Sequence, residues 1–115
     1  MTYEINGVQL DIDMADVDFI ERYEAAFEKM AASEANLPMD EKNSVIASAY
    51  VKMFYELFDD IFGKGMGEKI FSKKRNINLC LSTYDQFFDI CTKQTEENNE
   101  KLTAMFAKYM PQQRK

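Results

Sequence analysis

Between Val45 and Phe62 the chain sets Val45, Ile46, Ala49, Tyr50, Met53, Phe54, Leu57, Phe58, Ile61 and Phe62 as adjacent apolar pairs recurring every four residues. An α-helix turns about 100° per residue, so each step of four overshoots a full turn by about 40°. Over four steps the apolar band rotates by roughly 160°. A helix of this kind presents one face at its start and a rotated face at its end, so different partners must cover it along its length. The stretch is therefore expected to be the central helix of a mainly α domain.

The rest of the chain fits that frame. A chain of 115 residues, 46% hydrophobic and 13% aromatic, has material for one core, and only 4 Gly and 2 Pro punctuate it, so long helices are expected. We read residues 1–115 as one domain. No run of 18 apolar residues is present, and the opening MTYEINGVQLDID lacks a basic stretch followed by an apolar one, so neither a membrane span nor a signal peptide is expected and the setting reads as a cytosol. Cys80 and Cys91 lie eleven residues apart in one predicted helix. They share a face but are separated by about 16 Å along it, beyond the roughly 7 Å within which a disulfide closes. Both are expected to be small buried apolar residues. The chain has no histidine, which removes the commonest general base and metal ligand. No nucleophile motif or metal cluster stands out, so no enzyme, cofactor or metal is expected.

The net charge of −6 is uneven. Residues 1–41 carry eleven acids against Arg22 and Lys29, whereas Lys64, Lys69, Lys73, Lys74 and Arg75 form a basic group with Glu68 among them. An acidic first third argues against nucleic acid as a partner.

Asn6-Gly7 between Tyr3–Ile5 and Val8–Ile12 predicts a two-residue hairpin over residues 1–12, with Ile5, Val8, Leu10 and Ile12 on its apolar side. Such a hairpin is marginal alone and must lie on the helices or pair with another chain. A helical core is expected over residues 13–91. Its first helix is capped by Asp13 or Asp16 and buries Val17, Ile20, Tyr23, Phe27 and Met30 or Ala31, with Glu21, Glu24 and Glu28 as a solvated or docking face. Pro38 ends it, and Asp40 is placed to cap the central helix. Gly63-Lys64-Gly65-Met66-Gly67 lacks the spacing of a phosphate loop and reads as a helix terminator followed by one turn over Glu68–Phe71. Asn76 or Asn78 caps a third long helix with Ile77, Cys80, Leu81, Tyr84, Phe87, Phe88 and Cys91 as its stripe.

From Thr92 to Lys101 no hydrophobic residue occurs; the stripe then resumes at Leu102, Met105, Phe106, Tyr109 and Met110. A segment polar all round is not held by a core. Residues 92–115 therefore read either as a hairpin of helices that folds back or as an arm that offers Leu102, Met105, Phe106 and Tyr109 to another protein. Methionine and aromatic side chains suit adaptable helix-in-groove contacts. The fold expected is thus mainly α: an N-terminal β-hairpin, then a three- to four-helix bundle with a long C-terminal helix.

Ile5-Asn6-Gly7, Glu21-Arg22-Tyr23-Glu24 and the segment FDDIFGKGMGEKIFSKKRNINLCLSTYDQFF from Phe58 to Phe88 resemble the small tail assembly chaperones of long-tailed phages and prophages of Gram-positive bacteria. The resemblance is one of overall pattern and covers most of the chain. It implies a non-enzymatic role in the host bacterial cytoplasm: binding the long helical tape-measure protein, or another tail protein, before the tail tube polymerises. The charge distribution is compatible with a homo-oligomer, in which the acidic first third of one copy meets Lys64, Lys69, Lys73, Lys74 and Arg75 of the next. Two other readings compete. One is a small acidic phage inhibitor of a host enzyme or defence protein, and the other is a structural tail component.

Overall fold

A computed structural model describes residues 1–109, and the predicted apolar position Met110 lies outside them. The chain runs β1 (Thr2–Ile5), β2 (Val8–Asp11), α1 (Val17–Ala35), α2 (Asn43–Phe62), α3 (Met66–Ile70) and α4 (Ile77–Tyr109). This is the mainly helical fold expected, a hairpin followed by four helices of which the last is long.

β1 and β2 pair antiparallel, with Ile5 opposite Val8 and Tyr3 opposite Leu10. Asn6 and Gly7 take φ of 52° and 80°, the left-handed pair that a two-residue turn between twisted strands demands. Ile5, Leu10 and the following Ile12 are buried. The hairpin lies along α4 of its own chain, and two polar side chains of that helix hold it. Asn6 Nδ2, at the turn, donates to Thr83 Oγ1 at 2.9 Å and to the Ile70 carbonyl at 3.0 Å. Three helical turns further along, Gln94 Nε2 donates to Tyr3 Oη at 3.0 Å and to the Ile12 carbonyl at 2.9 Å, and Gln94 Oε1 accepts from Met14 N at 2.7 Å. Thr83 and Gln94 are buried polar groups that these bonds satisfy.

Asp16 caps α1, accepting from Asp18 N at 3.0 Å. The buried face of α1 differs from the expected one. Val17 is 66% exposed, while Phe19 and Ala26 are buried. Tyr23, Phe27 and Met30 pack against the core at its edge. The cause is the helix's entry. The Ile12–Asp16 segment, tied to Gln94 and Asn98, sets the rotation of α1 so that Phe19 rather than Val17 faces Phe62, with ring centroids 6.1 Å apart. Asp40 does not cap α2. Turns at Leu37–Met39 and Pro38–Glu41 leave it outside the helix, and α2 starts after Lys42 without a side-chain cap.

The rotation of the apolar band along α2 is visible in its partners. Val45 is exposed, and Ala49 and Tyr50 are only half-buried. Met53, Leu57 and Ile61 are buried in the core beside Val51, Phe54 and Phe58. Phe54 meets Tyr84 of α4 at 5.5 Å, whereas Phe58, fully buried, meets Phe62, Phe71 and Phe87 at 6.3, 5.5 and 5.4 Å between centroids. A ring so enclosed contributes about 3–5 kcal/mol by the usual cost of truncation to alanine.

Gly63 ends α2 at φ 119°, ψ 155°, a conformation confined to glycine, and its N–H bonds the Asp59 carbonyl. The chain then turns through α3, which docks so closely on α2 that Gly67 has no room for a side chain. A Cβ there would stand 2.7 Å from the Tyr55 carbonyl oxygen. Gly67 N instead donates to Asp59 Oδ1 at 2.7 Å. Asn76 caps α4, its Oδ1 accepting from Leu79 N at 3.1 Å.

Candidate protein-interaction surface

α4 is 33 residues long, about 50 Å at 1.5 Å per residue. On its core face Cys80, Thr83, Phe87, Cys91 and Gln94 are buried. Leu81 and Phe88, expected in the stripe, are 48% and 45% exposed. They sit on the outer edge of the stripe, where Phe88 stacks on Tyr84 at 6.0 Å and reaches Phe27 at 6.5 Å. Sequence spacing could not separate them from the core, because among the described residues that side of α4 is covered only at its edge, by Phe27.

The polar gap departs from expectation in its first turns. Gln94 is buried, and Asn98 Nδ2 donates to the Met14 carbonyl at 3.1 Å. The polar residues of this segment are held by the backbone that leaves the hairpin, which needs hydrogen-bonding partners rather than apolar ones. An amide three turns from Thr83 in an otherwise polar run was the available signal, but nothing local marked it as buried.

From Asn98 to Tyr109, the last described residue, the helix continues without a break and leaves the domain as an arm. Leu102, Met105, Phe106 and Tyr109 are 55%, 52%, 60% and 66% exposed. At about 100° per residue, Leu102, Met105 and Tyr109 lie within roughly 60° of the direction in which Phe87 enters the core. The arm's apolar stripe therefore continues the core stripe past the point where α1 and the hairpin end. Lys101 and Lys108 flank it, and Lys108 Nζ stands 5.5 Å from the Tyr109 ring centroid. In the angle between the arm and the start of α1 lies a cleft of about 610 Å³, lined by Met14, Ala15, Ile20 and Glu24 on one side and by Asn98 and Leu102 on the other.

Of the predicted basic group, Lys64 occupies the turn after α2, Lys69 lies on α3, and Lys73, Lys74 and Arg75 form the loop that precedes the start of α4; all five are exposed. Ser72 and Lys73 take φ of 53° and 60°, and the loop is pinned by Tyr55 Oη donating to the Lys74 carbonyl at 2.6 Å and by Arg75 Nη2 donating to Ser48 Oγ at 2.9 Å. The structure thus does not gather the five cations: Lys73, Lys74 and Arg75 lie at the start of α4 beside Ser48 and Tyr55, whereas Lys64 follows the end of α2, where Phe62 packs on Phe87 with ring centroids 5.6 Å apart. The acids Glu21, Glu24 and Glu28 are exposed on α1.

Titratable groups in the core are held neutral. Burial pushes the Cys80 thiol up to about 11 and the Cys91 thiol up to about 12, so neither is a thiolate at neutral pH. Burial, with smaller contributions from Cys91 and Tyr84, pushes Tyr23 up to about 12. Among the described residues no three His, Cys, Asp or Glu side chains come together as a metal site, and no helix is long and apolar enough to cross a membrane. The chemistry on offer at the arm is apolar contact edged by charge.

No curated protein matches the chain, and no solved structure matches it. Residues 6–115 match the sequence family described as a family of unknown function, DUF6673. That match takes in the hairpin turn, the bundle and the arm alike, and the chain therefore belongs to the DUF6673 family.

Proposed function

We propose that this chain is a non-enzymatic assembly protein, a phage tail assembly chaperone-like protein that binds the tape-measure protein during tail morphogenesis in the host bacterial cytoplasm. The observation that carries the reading is the arm. Four large apolar side chains, each more than half exposed, line one side of a helix that has left its own domain. Singly exposed apolar residues are ordinary, but a contiguous row on a projecting helix matches helix-in-groove recognition. Met105 and the two rings can adapt to many positions along a long helical partner. The sequence resemblance supplies the identity of that partner, and the exposed cations Lys64, Lys69, Lys73, Lys74 and Arg75 are offered as a self-association surface.

The test is capture from cells producing the phage, with tagged full-length chain beside a chain ending after Asn99. The shortened chain retains Gln94 and Asn98, so it keeps the bonds that hold the hairpin and α1. The tape-measure protein is expected with the full-length chain and is expected to be lost from the shortened one. Equal capture by both would refute the role of the arm, and capture of a host enzyme in its place would favour the inhibitor reading.

A further inference from the structure

We propose that the seam between α1 and α4 is a second docking site, and that it takes a basic amphipathic helix of a partner protein. This surface is separate from the arm and stands independently of the tape-measure reading.

The seam is built from rings. Phe27 of α1 lies 5.9 Å from Tyr84 and 6.5 Å from Phe88 of α4, and Tyr84 and Phe88 stack at 6.0 Å. The three rings bridge the two helices. Phe88 is 45% and Leu81 48% exposed, while Phe27 and Tyr84 are half-buried. Leu81, Tyr84 and Phe88 step by three and four along about 10 Å of α4. On α1 the flank beside them runs Glu24, Phe27, Ala31 and Glu34, stepping by three, four and three. A helix laid between two helices meets apolar rows of this spacing with its own residues at i, i+3 or i+4, and i+7.

Charge selects the occupant. Glu24, Glu28 and Glu34 border the rings on α1, and Asp85 lies one turn from both Leu81 and Phe88 on α4; all four are exposed. None of them has an ion-pair partner among the described residues. The field of these acids reaches the rings: burial raises the Tyr84 hydroxyl above its ordinary value, and the Glu34 carboxylate adds to that. The cations of the same helices are committed elsewhere. Arg22 Nε donates to the Ile61 carbonyl and its guanidinium covers the Phe19 ring, and Lys29 pairs with Asp60. Lys93, the one cation of α4 between Ile77 and Glu100, pairs with Asp89. An apolar row edged by four unpaired acids is complementary to a helix that flanks its apolar residues with Lys or Arg, and it repels an acidic one.

The test uses the full chain and a fluorescein-labelled peptide of about 18 residues, long enough for several helical turns. The peptide is built of Leu, Ala and Lys, with Leu at i, i+3, i+4 and i+7 positions and Lys on both flanks, and its binding is followed by fluorescence anisotropy. The contact is small, so a Kd of about 10–100 μM is expected. Glu24→Lys with Glu28→Lys is expected to weaken binding about tenfold, and salt at about 0.5 M to weaken it severalfold by screening. Phe88→Asp is expected to weaken it about tenfold or more, with circular dichroism to check the fold because Phe88 also touches Tyr84 and Phe27. Leu81→Asp, which changes an exposed side chain, should cost about fivefold. Phe106→Asp, on the arm, should leave the affinity within about twofold. Equal binding of a peptide with Glu in place of every Lys, an affinity indifferent to both Leu81→Asp and Phe88→Asp, or loss on Phe106→Asp alone would each overturn the proposal. Self-association in sedimentation velocity that Phe88→Asp abolishes would mean that a second copy covers the seam, and would overturn it too. The arm reading is tested by the chain ending after Asn99, so the two fail separately.

Discussion

Replacing Gln94 by alanine tests how the hairpin is fastened to the bundle. The side chain is only 7% exposed and makes three hydrogen bonds, to Met14 N, the Ile12 carbonyl and Tyr3 Oη. Truncation leaves the Met14 N–H and the Ile12 carbonyl without that partner, and a buried polar group left unpaired costs about 1–3 kcal/mol. Tyr3 is only half-buried and can turn to water. The two backbone groups together predict a loss of about 2–6 kcal/mol, a large share of the roughly 5–15 kcal/mol that holds a domain folded. In urea, where small proteins lose about 1–3 kcal/mol per molar, the midpoint should fall by on the order of 1–2 M. Lys93→Ala, one residue earlier, removes only a surface pair with Asp89 and should cost under about 0.5 kcal/mol. Amide exchange should accelerate first in β1, β2 and the Ile12–Asp16 segment, because those are the parts that Gln94 fastens. A Gln94→Ala midpoint within error of the Lys93→Ala midpoint would refute the reasoning and show that apolar packing of Ile5, Leu10 and Ile12 suffices.

Two further outcomes follow from the core. Gly67→Ala places a methyl group 2.7 Å from the Tyr55 carbonyl oxygen, backbone that cannot swing aside, so a cost of about 1–3 kcal/mol by overpacking is expected in thermal or urea unfolding; an unchanged melting temperature would mean that α3 shifts freely on α2. The raised values of Cys80, Cys91 and Tyr23 belong to groups that are neutral when protonated, so the stability they contribute is complete below about pH 9 and is lost as pH climbs towards 12. A urea midpoint that falls between those pH values, and thiols that react with a disulfide reagent at pH 8 only after unfolding, would bear this out; rapid reaction of the folded chain would refute it.

Periodicity and turn chemistry made the helices and the hairpin legible in the sequence. The paired apolar steps from Val45 to Phe62, the Asn6-Gly7 turn, the cap at Asp16 and the stop at Gly63 are local decisions, made by side-chain spacing and by which residues tolerate positive φ. The renewed stripe at Leu102–Tyr109 was likewise readable as a candidate contact surface. Its course was not. Whether residues 92–101 bend back depends on what they can bond, and their partners, Met14 and Ile12, lie eighty or more residues away in the chain. Long-range bonds, from Gln94 to Ile12 and from Asn6 to Thr83, likewise made Gln94 and Thr83 core residues, which polarity alone would place at the surface. They also turned α1 so that Phe19 displaced Val17 from the interior. Local sequence thus determined which segments are helix, strand and turn, because those choices are settled within a few residues. Tertiary structure alone decided which face of each element is covered and that the last turns of α4 stand free, because burial depends on where distant backbone happens to need a partner and where it stops.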